Sequence, residues 1–379
     1  MRLRFLVIAS SLLIALHGYI GLRLLSGIPI GIQGRVLGAA ILTLSCILIP
    51  LSMTTRQIRR RGLADALAWA GYICMGGFSS LLVVTVMRDA VLLIAWLVLP
   101  AEQLAGVARD SAFVALAVAL LATLIGFANA RRRAQVVDVE VPIANLPEAL
   151  RGFSIVQISD IHVGPTIKAR YVAAIVDAAN ALDADVIAVT GDVVDGTVQE
   201  LTSHVAPLAR LKARHGAFFV TGNHEYYSGV REWIREFRRL GLIVLLNEHV
   251  VLNQNGARVV LAGVTDYSAH HFDPQHHSDP AKALAGAPAT AGAKILLAHQ
   301  PRSASAASAA GFDLQLSGHT HGGQFWPLNL FVRLQQPFTA GLNQVRDLIV
   351  YTSRGTGYWG PPMRLGAPSE ITRIRLVRA

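Results

Sequence analysis

The sequence predicts two different units in one chain: an N-terminal α-helical transmembrane region at residues 1–134, with about four spans, and an α/β domain at residues 135–379. Two observations carry this. The chain has 379 residues, 53% of them hydrophobic and only 15% charged, against roughly 25% charged in soluble proteins, and its apolar residues crowd the first third. From Val136 onward, short β-branched runs alternate with helical stretches and Gly-containing turns, the pattern of an α/β domain.

The stretches 5–22, 36–53, 67–87 and 111–128 each approach the roughly 20 apolar residues that cross about 30 Å of hydrocarbon. The third runs into Arg88 and Asp89 and then into a further apolar run, 90–99, closed by Pro100. That run is too short to span alone and reads as a continuation or an interfacial helix. Arg2 and Arg4 precede an apolar core, as in a signal peptide, but no small-residue cleavage site follows, so the segment reads as an uncleaved first span.

Arginines cluster at Arg56, Arg59, Arg60 and Arg61 and again at Arg131, Arg132 and Arg133, flanking apolar segments. The formal charge of +10 therefore fits membrane lipids as partners, and no nucleic acid is expected. The arginine asymmetry across four spans puts both termini, and the second unit, on the cytoplasmic side of a multi-pass inner-membrane protein. Cys46 and Cys74 both lie in apolar stretches, so neither suits a disulfide framework or a cysteine metal site.

In the second unit, 136–141 alternates and suits an edge strand, while 153–158, 186–190, 218–221, 259–263, 294–298 and 314–317 read as buried strands. Helices are expected over 169–182, 230–240 and 302–310. Five apolar strands are followed at once by Asp, Asn or His: Ser159-Asp160-Ile161-His162, Gly191-Asp192, Gly222-Asn223-His224-Glu225, Ala298-His299 and Gly318-His319-Thr320-His321. Ligands bind beyond the carboxyl ends of strands in open α/β sheets, so these five ends supply one site.

The residue types fit divalent cations. Asp160 and His162, two apart on an extended segment, project to the same side and offer oxygen and nitrogen to one ion. The carboxylate of Asp192 has an oxygen for each of two ions. Asn223, His299, His319 and His321 complete an oxygen/nitrogen set without thiolate, which suits Mn²⁺, Fe or Zn²⁺ better than a structural zinc site. Glycines 191, 222 and 318 let the turn backbone come close.

The series D-x-H, G-D-x-x-D, G-N-H-E, a lone His after a strand, and G-H-T-H resembles the calcineurin-like metallophosphoesterase superfamily. Its continuation, Gly318-His319-Thr320-His321-Gly322-Gly323-Gln324 with Ser353-Arg354-Gly355, is similar to the bacterial membrane-linked branch. The resemblance covers about 136–379 and implies a four-layer αββα sandwich. It also implies one metal on Asp160, His162, Asp192 and His321, and a second on Asp192, Asn223, His299 and His319. Two such ions would ionise a shared water as the nucleophile that attacks phosphorus. His224 would be the general acid for the departing alkoxide, with Asp195 orienting its ring. Glu225 reads as structural.

Arg354 is a candidate substrate-binding cation, beside a loop-solvation reading. The aromatics Phe325, Trp326, Phe331, Tyr358 and Trp359 read either as core or as an apolar lip near His321. His270, His271, His276 and His277 fall among Asp, Pro and Ser, which marks an exposed loop rather than another metal site. The leading functional expectation is a membrane-anchored phosphodiesterase or pyrophosphatase acting on a lipid-linked or nucleotide-linked substrate. The alternatives are a phosphomonoesterase, including a protein phosphatase, and a membrane sensor or transporter with a regulatory metal domain. Against the last stands the scarcity of ionisable residues in the spans, only His17 and the marginal Arg88 and Asp89.

Overall fold

The computed structural model describes residues 2–379 except 56, 57 and 59, and only the backbone of residues 2, 3, 5 and 6. Arg56, Arg59 and the side chain of Arg2 therefore lie outside the described residues. The chain divides into two compact units, Met1–Ala128 with Gly360–Met363, and Asn129–Trp359 with Arg364–Ala379.

Among the described residues, four helices are long and apolar enough to cross a membrane: α1 (Arg2–Leu24), α2 (Gly31–Thr54), α3 (Arg61–Val98) and α4 (Ala101–Arg131). α3 is one helix of 38 residues, so the run 90–99 continues the third span. At about 1.5 Å per residue α3 is roughly 57 Å long, well beyond the hydrocarbon thickness. It stops at Leu99, whose extended backbone (φ −108°, ψ 146°) is what a residue before proline adopts.

Arg88 and Asp89 are not marginal to this unit. Arg88, only 7% exposed, donates to Ser111 Oγ (3.0 Å) and to the carbonyls of Ala108 (2.7 Å) and Arg23 (3.2 Å). Asp89 accepts from Arg23 Nε (2.8 Å) and from the Tyr19 hydroxyl (2.6 Å). The polar groups thus satisfy one another and tie α1, α3 and α4 together, as charges inside a helical bundle must.

The second unit runs β1 (Gln135–Ile143), β2 (Ser154–Ile158), α5 (Ala169–Asn180), β3 (Val186–Val189), α6 (Val198–Val205), β4 (Ala217–Phe219), α7 (Asn223–Tyr227), α8 (Val230–Arg239), β5 (Ile243–Val244), β6 (Glu248–Gln254) and β7 (Ala257–Gly263). It continues with α9 (Pro280–Leu284), β8 (Ala293–Leu297), α10 (Ala304–Ala310), β9 (Leu314–Ser317), α11 (Leu328–Phe331), β10 (Gly341–Val345), β11 (Leu348–Thr352) and β12 (Glu370–Arg378). Two six-stranded sheets result, ordered β1-β12-β2-β3-β4-β5 and β10-β11-β9-β8-β7-β6.

The layering follows from which faces are apolar. α5 buries Val172, Ile175, Val176 and Ala179, and α8 buries Val230, Trp233, Ile234 and Phe237. Both sets follow the i, i+3, i+4, i+7 spacing of one helical face, and they pack on Val156, Ile158, Ile187, Val189 and Phe219 of the first sheet. Alternate residues of the same strands, Ile155, Val186 and Phe218, turn the other way and meet Val259, Ile295, Leu297 and Leu316 of the second sheet. The far face of that sheet is covered through Ala283, Ala304 and Ala307, against Ala262, Leu296 and Val350. This is the four-layer αββα sandwich.

Two features depart from the sequence reading. The helix expected over 302–310 begins as a 3-10 turn, Pro301–Ser303, and becomes α-helical only at Ala304. The C-terminal strand β12 lies between β1 and β2, parallel to the first and antiparallel to the second. β2, β3 and β4 run parallel, as do β8 and β9, so the carboxyl ends that carry the polar residues share a direction within each sheet.

Candidate metal centre

Each polar residue sits two to four positions beyond a strand end: Asp160 and His162 after β2, Asp192 after β3, Asn223 after β4, His299 after β8, and His319 and His321 after β9. The turns that aim them are tight. Asp160, His162, Asp192, His319 and His321 all have left-handed φ, between +51° and +70°, a region that non-glycine residues enter at a cost and that clusters at functional sites. A Cβ on Gly222 would collide with the Asp192 carboxylate, and one on Gly318 with Asp160 Oδ2 and Ser159 Oγ.

Asp160, His162 and His321 bring their donor atoms within 4.8 Å of one another, and so do Asp192, His299 and His319. His162 Nε2 lies 3.0 Å from His321 Nε2, and His321 Nε2 lies 3.5 Å from Asp160 Oδ1. In the second group His299 Nε2 is 3.1 Å from Asp192 Oδ2 and 3.2 Å from His319 Nδ1. Asp192 Oδ2 also comes within 4.0 Å of His162 Nε2, so this carboxylate stands between the two groups. The buried Asn223 Oδ1 has no hydrogen-bond partner among the described residues. A buried acceptor left unsatisfied is costly, and this one belongs to the predicted ligand set. The donors are oxygen and nitrogen, as divalent cations of this kind require.

The site's charges compensate one another: burial opposes a charged His299, yet Asp192 and Asp160 hold its pKa well above the ordinary imidazole value, while burial pushes Asp160 up. Burial opposes ionisation of Asp192, but His299 and His224 beside it outweigh that and hold its pKa well below the usual carboxylate range. Burial, with the neighbouring His299, pushes His319 down to about 3, and burial with His162 holds His321 well below the ordinary imidazole value. Both rings are therefore neutral, the state in which imidazole ligates a metal. His299 Nδ1 donates to the Thr190 carbonyl (2.8 Å), which directs Nε2 at Asp192.

His224, the residue after Asn223, lies alongside. Its Nδ1 is 2.6 Å from Asp195 Oδ1, which also stands 3.1 Å from His162 Nδ1. Burial works against a charged His224, yet Asp192 and Asp195 together raise its pKa to about 9. Glu225 accepts from the backbone N–H groups of Asp192 (3.0 Å), Val193 (2.8 Å) and Gly222 (2.7 Å), locking two ligand turns together.

Arg354 donates to the buried Glu370 (2.8 Å) while its Cγ approaches Gly322, next to His321. The sequence reading missed Arg364. It is buried, and it reaches His321 Nδ1 (3.1 Å) and the carbonyls of His321 (2.9 Å) and Arg354 (2.7 Å). The aromatics left open between core and lip divide: Phe325 and Tyr358 are buried, whereas Trp326, Phe331 and Trp359 are exposed. In the histidine-rich loop, His276 Nδ1 pairs with the Tyr226 hydroxyl (2.8 Å) and the His270 and His271 rings lie 3.9 Å apart.

Gly222→Ala should lower divalent-metal affinity about 10- to 100-fold, read by calorimetric titration with Mn²⁺ or Zn²⁺. Its φ of −98° suits any residue, so the effect would come from the methyl group displacing Asp192. Unchanged affinity would show that the carboxylate position is not limiting.

Residues 153–323 match the family described as Calcineurin-like phosphoesterase. A Bos taurus protein named transmembrane protein with metallophosphoesterase domain is 39% identical over 327 residues, covering 81% of this chain and 73% of that one. A Danio rerio protein of the same name is 40% identical over 274 residues, 70% of this chain, and this chain spans 62% of its length. An uncharacterized metallophosphoesterase of Helicobacter pylori is 36% identical over 257 residues, 66% of each chain.

Proposed function

Since the chain belongs to the calcineurin-like metallophosphoesterase family and is a metal-dependent phosphoester hydrolase, we propose that it is a dinuclear phosphodiesterase or pyrophosphatase acting at a membrane on a lipid-linked or nucleotide-linked substrate. Asp160, His162, Asp192 and His321 would hold one divalent ion, and Asp192, Asn223, His299 and His319 the other, with Mn²⁺, Fe or Zn²⁺ as the candidates. Bound there, the ions supply Lewis-acid activation of water and neutralise charge on the phosphoryl oxygens.

The chain's own residues do the rest. As the bond between phosphorus and the leaving oxygen breaks, His224 gives its Nε2 proton to that oxygen, while Asp195 holds the Nδ1–H and keeps the ring aimed. Arg354, tethered by Glu370, would face a phosphoryl oxygen of the bound substrate. The observation that carries this reading is the pair of donor groups meeting at Asp192, with His224 Nδ1 2.6 Å from Asp195 beside them.

We assign the chain to the inner membrane as a multi-pass protein with its catalytic unit on the cytoplasmic face. Supporting this are four helices of sufficient length and hydropathy, relatives named as transmembrane proteins, and the distribution of arginines. A reporter fused after Ala379 is expected to behave as cytoplasmic; an alkaline phosphatase fusion active in the periplasm would reverse the assignment.

The lipid reading is supported by the short stretch between the end of α4 at Arg131 and β1 at Gln135, which raises the site's effective concentration for bilayer substrates. Its test uses the full chain in proteoliposomes, reconstituted with Mn²⁺, Fe²⁺ or Zn²⁺. Lipid pyrophosphate should be hydrolysed faster than its water-soluble headgroup analogue; preference for the analogue would reduce the membrane to an anchor.

A further inference from the structure

Two half-exposed aromatic rings flank His224. Tyr227 lies one helical turn further along α7, on the same face, with its ring centroid 5.1 Å from that of His224 and the planes 60° apart. Trp359 comes from the distant loop after β11, its centroid 5.9 Å away and its plane at 76°. They are 54% and 53% exposed, so each gives part of its surface to the imidazole and leaves the rest open. Phe272, also exposed, packs against Tyr227 at 5.4 Å and braces it.

Trp359 is placed by the metal-ligand loop itself. The side chain of Gln324, three residues past His321, accepts from the Trp359 N–H (2.9 Å) and donates to the Trp359 carbonyl (2.8 Å). Gln324 is buried, so both bonds are shielded from water and fix the backbone from which the indole projects. Tyr227, Phe272 and Trp359 gather around one histidine instead of being scattered singly, and clustered exposed apolar surface marks an interaction site. Here both rings border the group that protonates the leaving oxygen, and whatever is attached to that oxygen must pass them.

From this geometry we propose that Tyr227 and Trp359 form the leaving-group subsite, positioned by Gln324 and Phe272, and that the subsite selects leaving groups carrying a flat aromatic ring, of the aryl or nucleoside class. Indole and phenol faces bind planar rings by offset or edge-on stacking, and do so without regard to ring substituents. A saturated ring of the same bulk fills the space but cannot match the quadrupole. The inference rests on His224 as the proton donor to the leaving group, and it narrows the nucleotide-linked side of that reading: the departing group is planar, and any lipid stays on the retained phosphoryl side.

The test uses the full metal-loaded chain and two matched probe pairs. The first pair is phenethyl and 2-cyclohexylethyl phosphonate, which are not hydrolysed; the second is the two phosphodiesters with the corresponding alcohols, whose leaving oxygens are nearly equal in acidity. Calorimetry should give a lower Kd for the phenethyl phosphonate. Trp359→Leu and Tyr227→Leu should each raise that Kd roughly 5- to 100-fold while moving the cyclohexylethyl value much less. Trp359→Phe and Tyr227→Phe, which keep a flat ring, should retain most of the preference, and metal content should stay at the wild-type level in all four. Equal Kd values for the two phosphonates in the wild type, or equal losses for both in the leucine variants, would overturn the subsite. Absence of turnover on either diester, with the phosphonate preference intact, would instead refute the diesterase reading and leave the planar-ring subsite standing.

Discussion

Asp192→Asn should abolish hydrolysis, by about 10³-fold or more, and lower bound metal toward one ion per chain or fewer. Asp192 Oδ2 is within 3.1 Å of His299 Nε2 and 4.0 Å of His162 Nε2, while Oδ1 accepts from the His224 backbone N–H (2.8 Å). An amide is nearly isosteric and could keep that backbone bond. It offers one neutral oxygen where the carboxylate offers two that share a negative charge, so two cations cannot be served equally. Metal analysis of the purified variant together with its rate checks this, and full activity would sink the two-ion assignment.

The second large effect belongs to His224→Ala. It should retain the wild-type metal content yet lose about 10²- to 10⁴-fold in rate on substrates with alkoxide leaving groups. The loss should shrink for substrates whose leaving group departs without a proton, such as nitrophenolate. His224 Nδ1–H is engaged by Asp195 at 2.6 Å, whereas Nε2 stands 3.9 Å from Asp192 Oδ2, which leaves Nε2 as the end that can give a proton to the leaving group. Equal losses for good and poor leaving groups would count against the acid role.

The candidate ligand set was legible in the sequence because its signal is local: an apolar run sets a strand, and the polar residue at its end is aimed by the turn. Three such runs are parallel strands of one sheet and two are parallel strands of the other, and only the stacking of the two sheets brings them to one rim. Arg364 was not legible, since it follows Pro361 and Pro362 in an irregular loop and meets His321 only through the tertiary path of the chain. β12 was not read although Arg373 and Arg375 alternate with Ile374 and Leu376, the period of a strand, and the alternation does not say which strands lie beside it. Its neighbours on both sides are strands, and Arg373 reaches across to Asp138 on β1 (2.5 Å). The rim around His224 was legible only in part: Trp359 reads as core or lip, whereas Tyr227 at the end of α7 and Phe272 come from other parts of the chain, and no spacing joins all three.

The positive φ angles of Asp160, His162, Asp192, His319 and His321 put backbone strain at the candidate metal ligands of this domain. Glycine would relax the backbone at each of those positions by on the order of 1 kcal/mol, but at Asp160 and Asp192 it would also remove the acceptors of the His319 and His224 backbone N–H groups. Relief of strain and loss of these buried bonds therefore oppose each other, and a screen for heat resistance alone does not report on the candidate metal site. Improvement of this domain has to be selected on turnover and melting temperature together, with the five left-handed ligands held fixed.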